Sequence, residues 1–164
     1  MGVTRKQPRT VHRRFHDYQG TARTTVEEKP VITYMLDTDI CIYIIKKKPG
    51  HIIERLSKSH ISDIGISSIT LSELEYGAAK SSRPAQNKLA LSEFLSPIEI
   101  LPYDDMAAQE YGQIHIHLER KGTPIGSMDM LIAAHARSIN CILVTNNEQK
   151  FNRVPFLQID NWVR

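Results

Sequence analysis

The chain has 164 residues, 41% hydrophobic and 24% charged, which is an ordinary globular composition, long enough for one domain with a hydrophobic core and too short for two full ones. No run approaches the roughly 18 apolar residues of a spanning helix, and the first thirty residues lack the apolar middle of a secretory signal, so the expected location is the cytoplasm. The net charge of +3 is uneven: residues 1–30 hold seven Lys or Arg against three acids, whereas the remainder holds fourteen basic and fifteen acidic residues.

Residues 1–30 therefore read as a basic arm with few aliphatic side chains, either a nucleic-acid-binding tail or a plain disordered extension. The domain proper is expected to be 31–164. Its first segment, "VITYML", is a short apolar run of strand formers with apolar positions on both faces, which fits a central strand of a parallel sheet, and Asp37 ends it. "TDICIYIIKKKP" reads as a helix ending before Pro49, and "GHIIERLSKSH" as another with Ile52, Ile53 and Leu56 on one side. "DIGISS" is a second strand candidate. It leads into "TLSELEYGAAK", which puts Leu71, Leu74 and Ala78 on one helix face and Glu73 in its first turn.

A helix from Pro84 to about Leu95 precedes "SPIEILP", a third strand. Asp104 and Asp105 open a long helix, stopped by Gly122 and Pro124, and are expected to serve as cap and first-turn residue. "TPIGS" then leads into the helix "MDMLIAAHARSI". "NCILVTNN" is a fourth short apolar run ending in polar residues, and "PFLQIDNW" can add a last strand. Strands alternating with helices predict an α/β fold with a mostly parallel central sheet. Cys41 and Cys141 lie in apolar runs and lack the spacing of a zinc site, so both are expected to be buried thiols.

Ligands of such sheets sit beyond the carboxyl ends of the strands. Asp37, Glu73, Asp129 and Asn147 are all expected at that edge. Each has a plainer reading: Thr70 and Glu73 have the spacing of a capping box, Ser127 can cap the helix that carries Asp129, and Asn147 can be a turn residue. Asp37 has the weakest plain reading, because a carboxylate at the tip of a central strand is partly desolvated and needs a cation or several donors. Clustered carboxylates without His or Cys at ligand spacing point to Mg²⁺ or Mn²⁺, which would orient water and stabilise charge on a phosphodiester. Thr145, at the end of the strand before the site, can position an acid or a water.

"YMLDTDICIYIIKKKP", "SSITLSELEYGAAKS", "TPIGSMDMLIAAHARS" and "LVTNNEQKF" together resemble the signature blocks of PIN-domain ribonucleases, specifically the VapC-type toxins of bacterial toxin-antitoxin pairs. The resemblance runs from about residue 31 to the C-terminus. It implies the PIN-like fold with helices flanking the sheet, metal-dependent cleavage of specific RNA with tRNA a common substrate class, homodimerisation, and neutralisation by a VapB-like antitoxin within a larger complex. Carried over by residue, it implies metal ligation by Asp37, Glu73 and Asp129, catalytic roles for these three together with Asn147 and Thr145, and hydrogen-bonding support of Asp37 by Asp39. The family's fourth acidic position falls at Asn147, an amide that adds no charge. The resemblance also leads us to expect that residues 1–30 precede the toxin proper, as an upstream extension or a remnant overlapping the antitoxin frame, with a late start at Val31.

Two rivals are weaker. "LDTDI" has the DxD form of haloacid-dehalogenase-like phosphohydrolases, but Cys41 stands where those enzymes usually carry Thr or Val. A PIN-like module that binds RNA or protein without cutting would most simply have lost an acid, and three of the four positions remain acidic. His115 and His117 lie on different helix faces and His135 reads as packing or surface. Phe151, Leu157 and Trp162 are expected in a core or dimer surface, and Lys46, Lys47 and Lys48 are either an RNA backbone contact or a solvated helix end.

Overall fold

A computed structural model describes residues 31–164; the expectations for residues 1–30 lie outside the described residues. Five short strands, β1 (Tyr34–Leu36), β2 (Ile64–Ser67), β3 (Glu99–Leu101), β4 (Ile142–Val144) and β5 (Ile159–Asp160), form one sheet in the order β3-β2-β1-β4-β5. Every neighbouring pair is parallel, with Tyr34 opposite Ile64 on one side of β1 and opposite Ile142 on the other. The intervening helices are α1 (Thr38–Ile45), α2 (Gly50–Lys58), α3 (Ser68–Lys80), α4 (Pro84–Leu95), α5 (Asp105–Lys121), α6 (Ser127–Ser138) and α7 (Glu148–Phe151). The expected α/β class and parallel sheet are therefore present.

Strand β1 is central, and the chain leaves it first towards β2 and β3 and later returns on its other side as β4. The gap between the ends of β1 and β4 is thus the switch point at which parallel sheets open a crevice. Helices cover both faces. One apolar cluster packs Leu36, Ile40, Ile44, Ile52, Ile66, Leu74 and Trp162, and the other packs Met35, Ile114, Leu118, Ile132, Leu143 and Phe151. Phe151 and Trp162 are buried core residues and Leu157 packs partly buried against the second cluster. Cys41 and Cys141 are free and buried, and burial pushes both thiols up, Cys141 to about 12.

Local signals placed most helix ends. Asp104 caps α5 by accepting from the Ala107 N–H at 3.0 Å, and Gly122 closes it in the left-handed conformation (φ 64°) that glycine adopts without a Cβ clash. Helix α1 stops at Ile45, three residues before the expected end, because Lys47 turns left-handed (φ 54°) and the Lys48 N–H reaches back to the Tyr43 carbonyl. Lys46, Lys47 and Lys48 lie exposed beyond that end. Helix α3 begins at Ser68, earlier than expected, since Ser67 supplies the cap through the Ile69 N–H at 3.1 Å. Glu73 consequently sits in the second turn, the Thr70 hydroxyl is buried without a partner, and the capping-box reading fails. Ser127 is the first residue of α6, behind the cap Gly126. Helix α7 was not expected, its four residues being too few to show a period.

Candidate active site

Asp37 links the end of β1 to the start of α1. Its backbone N–H donates to the Val144 carbonyl at 2.9 Å, continuing the β1–β4 pairing, while its side chain caps α1 by accepting from the Thr38 N–H at 2.8 Å through Oδ1. The other oxygen, Oδ2, accepts from the Thr145 hydroxyl at 2.8 Å. Thr145 is wholly buried, and its Oγ1 itself accepts from the Asn147 N–H at 3.0 Å, so the hydroxyl proton is directed at Asp37. Only 6% of Asp37 is exposed. Burial first, and then the negative charge of Asp39, push its carboxyl up to about 7, against the pull of the Thr145 and Thr38 hydrogen bonds. A carboxylate this reluctant to ionise among protein groups alone is one that a bound cation would stabilise.

Asp129 approaches from the first turn of α6, and its charge also raises Asp37. Its Oδ2 receives the Lys150 ammonium at 2.7 Å. A Cβ on Gly126 would stand 2.7 Å from the same Oδ2, so the carboxylate occupies space that any larger residue would take. Glu73 is half-buried and accepts through Oε2 from the Thr38 hydroxyl, the side chain next to Asp37. Among the described residues no three His, Cys, Asp or Glu side chains stand close enough together to hold an ion without adjustment.

Asp39 departs from the expected role. Its Oδ1 accepts from the Ile40 N–H at 2.7 Å, and it reaches Asp37 only as a like charge. Burial raises its carboxyl, with the Asn146 backbone and Lys150 pulling the other way. Asn147 precedes α7 without a side-chain capping bond, and what it supplies here is the backbone N–H that orients Thr145.

Sequence reasoning missed Lys150 and Thr38. Lys150 was discoverable as the one base within "TNNEQKF", the polar segment after β4, but its partner lies 21 residues away on another helix. Among the described residues the histidines take no part in these contacts. His135 is buried, shares a 2.8 Å hydrogen bond with the Ser67 hydroxyl and stacks edge-on against Tyr103, and burial lowers its pKa. His115 packs against Tyr111 and lies 3.6 Å from Glu119.

Beside Glu73 runs a groove of about 270 Å³ between α1, α3 and α4, lined by Ile42, Ile45, Leu74, Ala78 and Leu91. Among the described residues no helix is long and apolar enough to cross a membrane.

The PIN domain family model matches residues 34–157. The chain is 48% identical over 132 residues to the tRNA(fMet)-specific endonuclease VapC of Salmonella typhimurium, covering 80% of this chain and 99% of that protein. It is 46% identical to ribonuclease VapC2 of Rickettsia felis, covering 79% and 97%. Among solved structures, DNA-bound VapBC from Salmonella typhimurium superposes with a TM-score of 0.77 at 48% identity, over 80% of this chain and 98% of that one. VapBC2 from Rickettsia felis bound to a promoter DNA fragment gives 0.75 at 43% identity, over 80% and 99%. The match over residues 34–157, which contain Asp37, Glu73 and Asp129, sets aside the phosphohydrolase reading of "LDTDI".

Proposed function

The chain belongs to the VapC-type PIN-domain ribonucleases, the toxins of toxin-antitoxin pairs, and on that premise we propose that it is a Mg²⁺- or Mn²⁺-dependent endoribonuclease that cleaves tRNA in the cytoplasm. The observation that carries this reading is Asp37, a buried carboxylate held at the β1–β4 switch point with both oxygens already oriented by protein donors. The donor set fits a hard divalent ion, being oxygen-rich and free of His and Cys. Asp37 and Asp129 would hold it, with Glu73 close by or acting through water. When bound, such an ion lowers the pKa of a water and offsets charge on the scissile phosphate.

The protein's own groups do the positioning. Thr145 fixes the direction of the Asp37 carboxylate, Thr38 restrains Glu73, and Asn147 orients Thr145 through its N–H. The Salmonella relative is named for tRNA(fMet), which makes tRNA the substrate class to test. The VapBC complexes among the structural relatives support a VapB-like antitoxin as partner, and the apolar groove beside Glu73 suits an antitoxin segment that would cover the site. A homodimer within the larger complex is part of the same reading.

The test is cleavage of a total tRNA pool by purified protein with Mn²⁺, with RNA ends mapped by sequencing. Discrete cuts by the native protein that vanish in Asp37→Asn of matched circular dichroism support the reading. No cutting by the native protein would leave an RNA- or protein-binding module as the better description, and equal cutting by both proteins would remove Asp37 from the mechanism.

A further inference from the structure

Among the described residues, Asp129 is the only proposed metal ligand engaged by a cation. Of the five ion pairs among the described residues, the other four join Arg55 to Asp160, His115 to Glu119, Arg137 to Glu110 and Arg164 to Glu148, all outside the acidic cluster. The Lys150 and Asp129 side chains are 31% and 25% exposed, so the pair is shielded from solvent more than an ordinary surface contact. Lys150 is placed by α7, which is anchored by the wholly buried Phe151 next to it.

Around Asp129 the two carboxylate oxygens differ. Oδ2 receives Lys150 Nζ at 2.7 Å and fills the space over Gly126 where a Cβ would stand, whereas Oδ1 accepts no hydrogen bond among the described residues.

We propose that Lys150 is a positioning residue for Asp129 and a resident counter-cation of the acidic cluster, one that holds Oδ2, leaves Oδ1 for the divalent ion, and sets the affinity of the cluster for that ion low in the absence of RNA. The inference rests on the reading of Asp37 and Asp129 as metal ligands. Lys150 repels an incoming cation and at the same time fixes the carboxylate that must receive it. Its removal therefore has two effects of opposite sign. Ion affinity rises because a positive charge has left, and turnover falls because Asp129 is free to rotate. A residue that merely supports the fold would weaken both.

The experiment uses the full chain, stripped with chelator, as native protein and as Lys150→Met, Lys150→Gln and Lys150→Arg. Mn²⁺ binding without RNA is followed by the loss of free Mn²⁺ signal in electron paramagnetic resonance, and tRNA cleavage is measured at saturating Mn²⁺. We expect Mn²⁺ affinity to rise about tenfold in Lys150→Met and Lys150→Gln, as removal of one nearby, partly shielded charge implies. Cleavage at saturating Mn²⁺ should fall several-fold in both, and Lys150→Arg should stay near native in both measurements. Unchanged or weaker Mn²⁺ binding in the two neutral variants overturns the inference and leaves the metal site standing. Absence of Mn²⁺ binding by every form, native included, removes the metal site and this inference with it.

Discussion

Thr145 donates its hydroxyl proton to Asp37 Oδ2 across 108 residues of sequence, and it does so because the Asn147 N–H occupies the lone pair behind it. Two parallel strands that are far apart in the chain end side by side at the switch point, and this one hydrogen bond fixes the acid at their junction. Replacing Thr145 by Val removes the donor while keeping the shape. The hydrogen bond favours the ionised carboxylate, so the valine variant should need a higher pH for half-maximal Mn²⁺ binding and should cleave tRNA at least tenfold more slowly. Thr145→Ser should recover most of both. Calorimetric titration across pH, with cleavage rates beside it, checks the pair; native behaviour in the valine variant would remove Thr145 from the site.

The raised Asp37 pKa has a stability consequence whose sign is definite. The group stands at about 7 when folded and near 3.8 when free, so the metal-free folded protein takes up a proton between those values. Its contribution is fully favourable below about pH 4 and is lost as pH rises through 7. Chelated protein should therefore show a melting temperature that falls between pH 6 and pH 8, and Asp37→Asn should flatten that fall. Added Mn²⁺ should oppose it, increasingly so at higher pH, because the ion binds the ionised form. Thermal melts at pH 6, 7 and 8 with chelator or Mn²⁺ are the measurement, and a slope identical in native protein and Asp37→Asn would contradict it.

Gly126 is replaceable as far as its backbone is concerned, since its φ of −59° is open to any residue. What alanine would meet is Asp129, whose Oδ2 lies 2.7 Å from the added Cβ. The carboxylate is the part able to move. Gly126→Ala should keep a near-native melting temperature while lowering cleavage about tenfold or more, as expected when a reacting group is misplaced by about 1 Å. A stable and fully active variant would show that Asp129 has room to spare.

Asp37→Asn, Glu73→Gln and Asp129→Asn should each abolish most cutting at matched circular dichroism, and the double variants should lose little more than the singles, because a cluster that works as a unit fails with its first missing member. Asn147→Asp should behave differently, adding negative charge beside the ion and tightening divalent binding. Rates for singles and doubles on one tRNA pool test the first statement, and a Mn²⁺ titration the second. Additive losses would mean that the acids act separately.

Much of this protein was determined by its sequence alone, because the signals involved are local. Apolar runs bounded by polar residues marked the strands, Asp104 and Gly122 marked the ends of α5, and the strand-final position of Asp37 marked where a ligand edge must lie. Helix α7 and the early start of α3 escaped, since four residues show no period and the Ser67 cap competes with an equally plausible Thr70. The partners within the site were decided by tertiary structure. Placing β4 beside β1 joined Thr145 to Asp37, the α1–α3 approach joined Thr38 to Glu73, and the meeting of α6 with α7 joined Lys150 to Asp129. The reason is physical: periodicity and caps depend on neighbours within about four residues, whereas the charge and hydrogen bonding that set the state of a buried carboxylate depend on which distant segments the packed sheet brings against it.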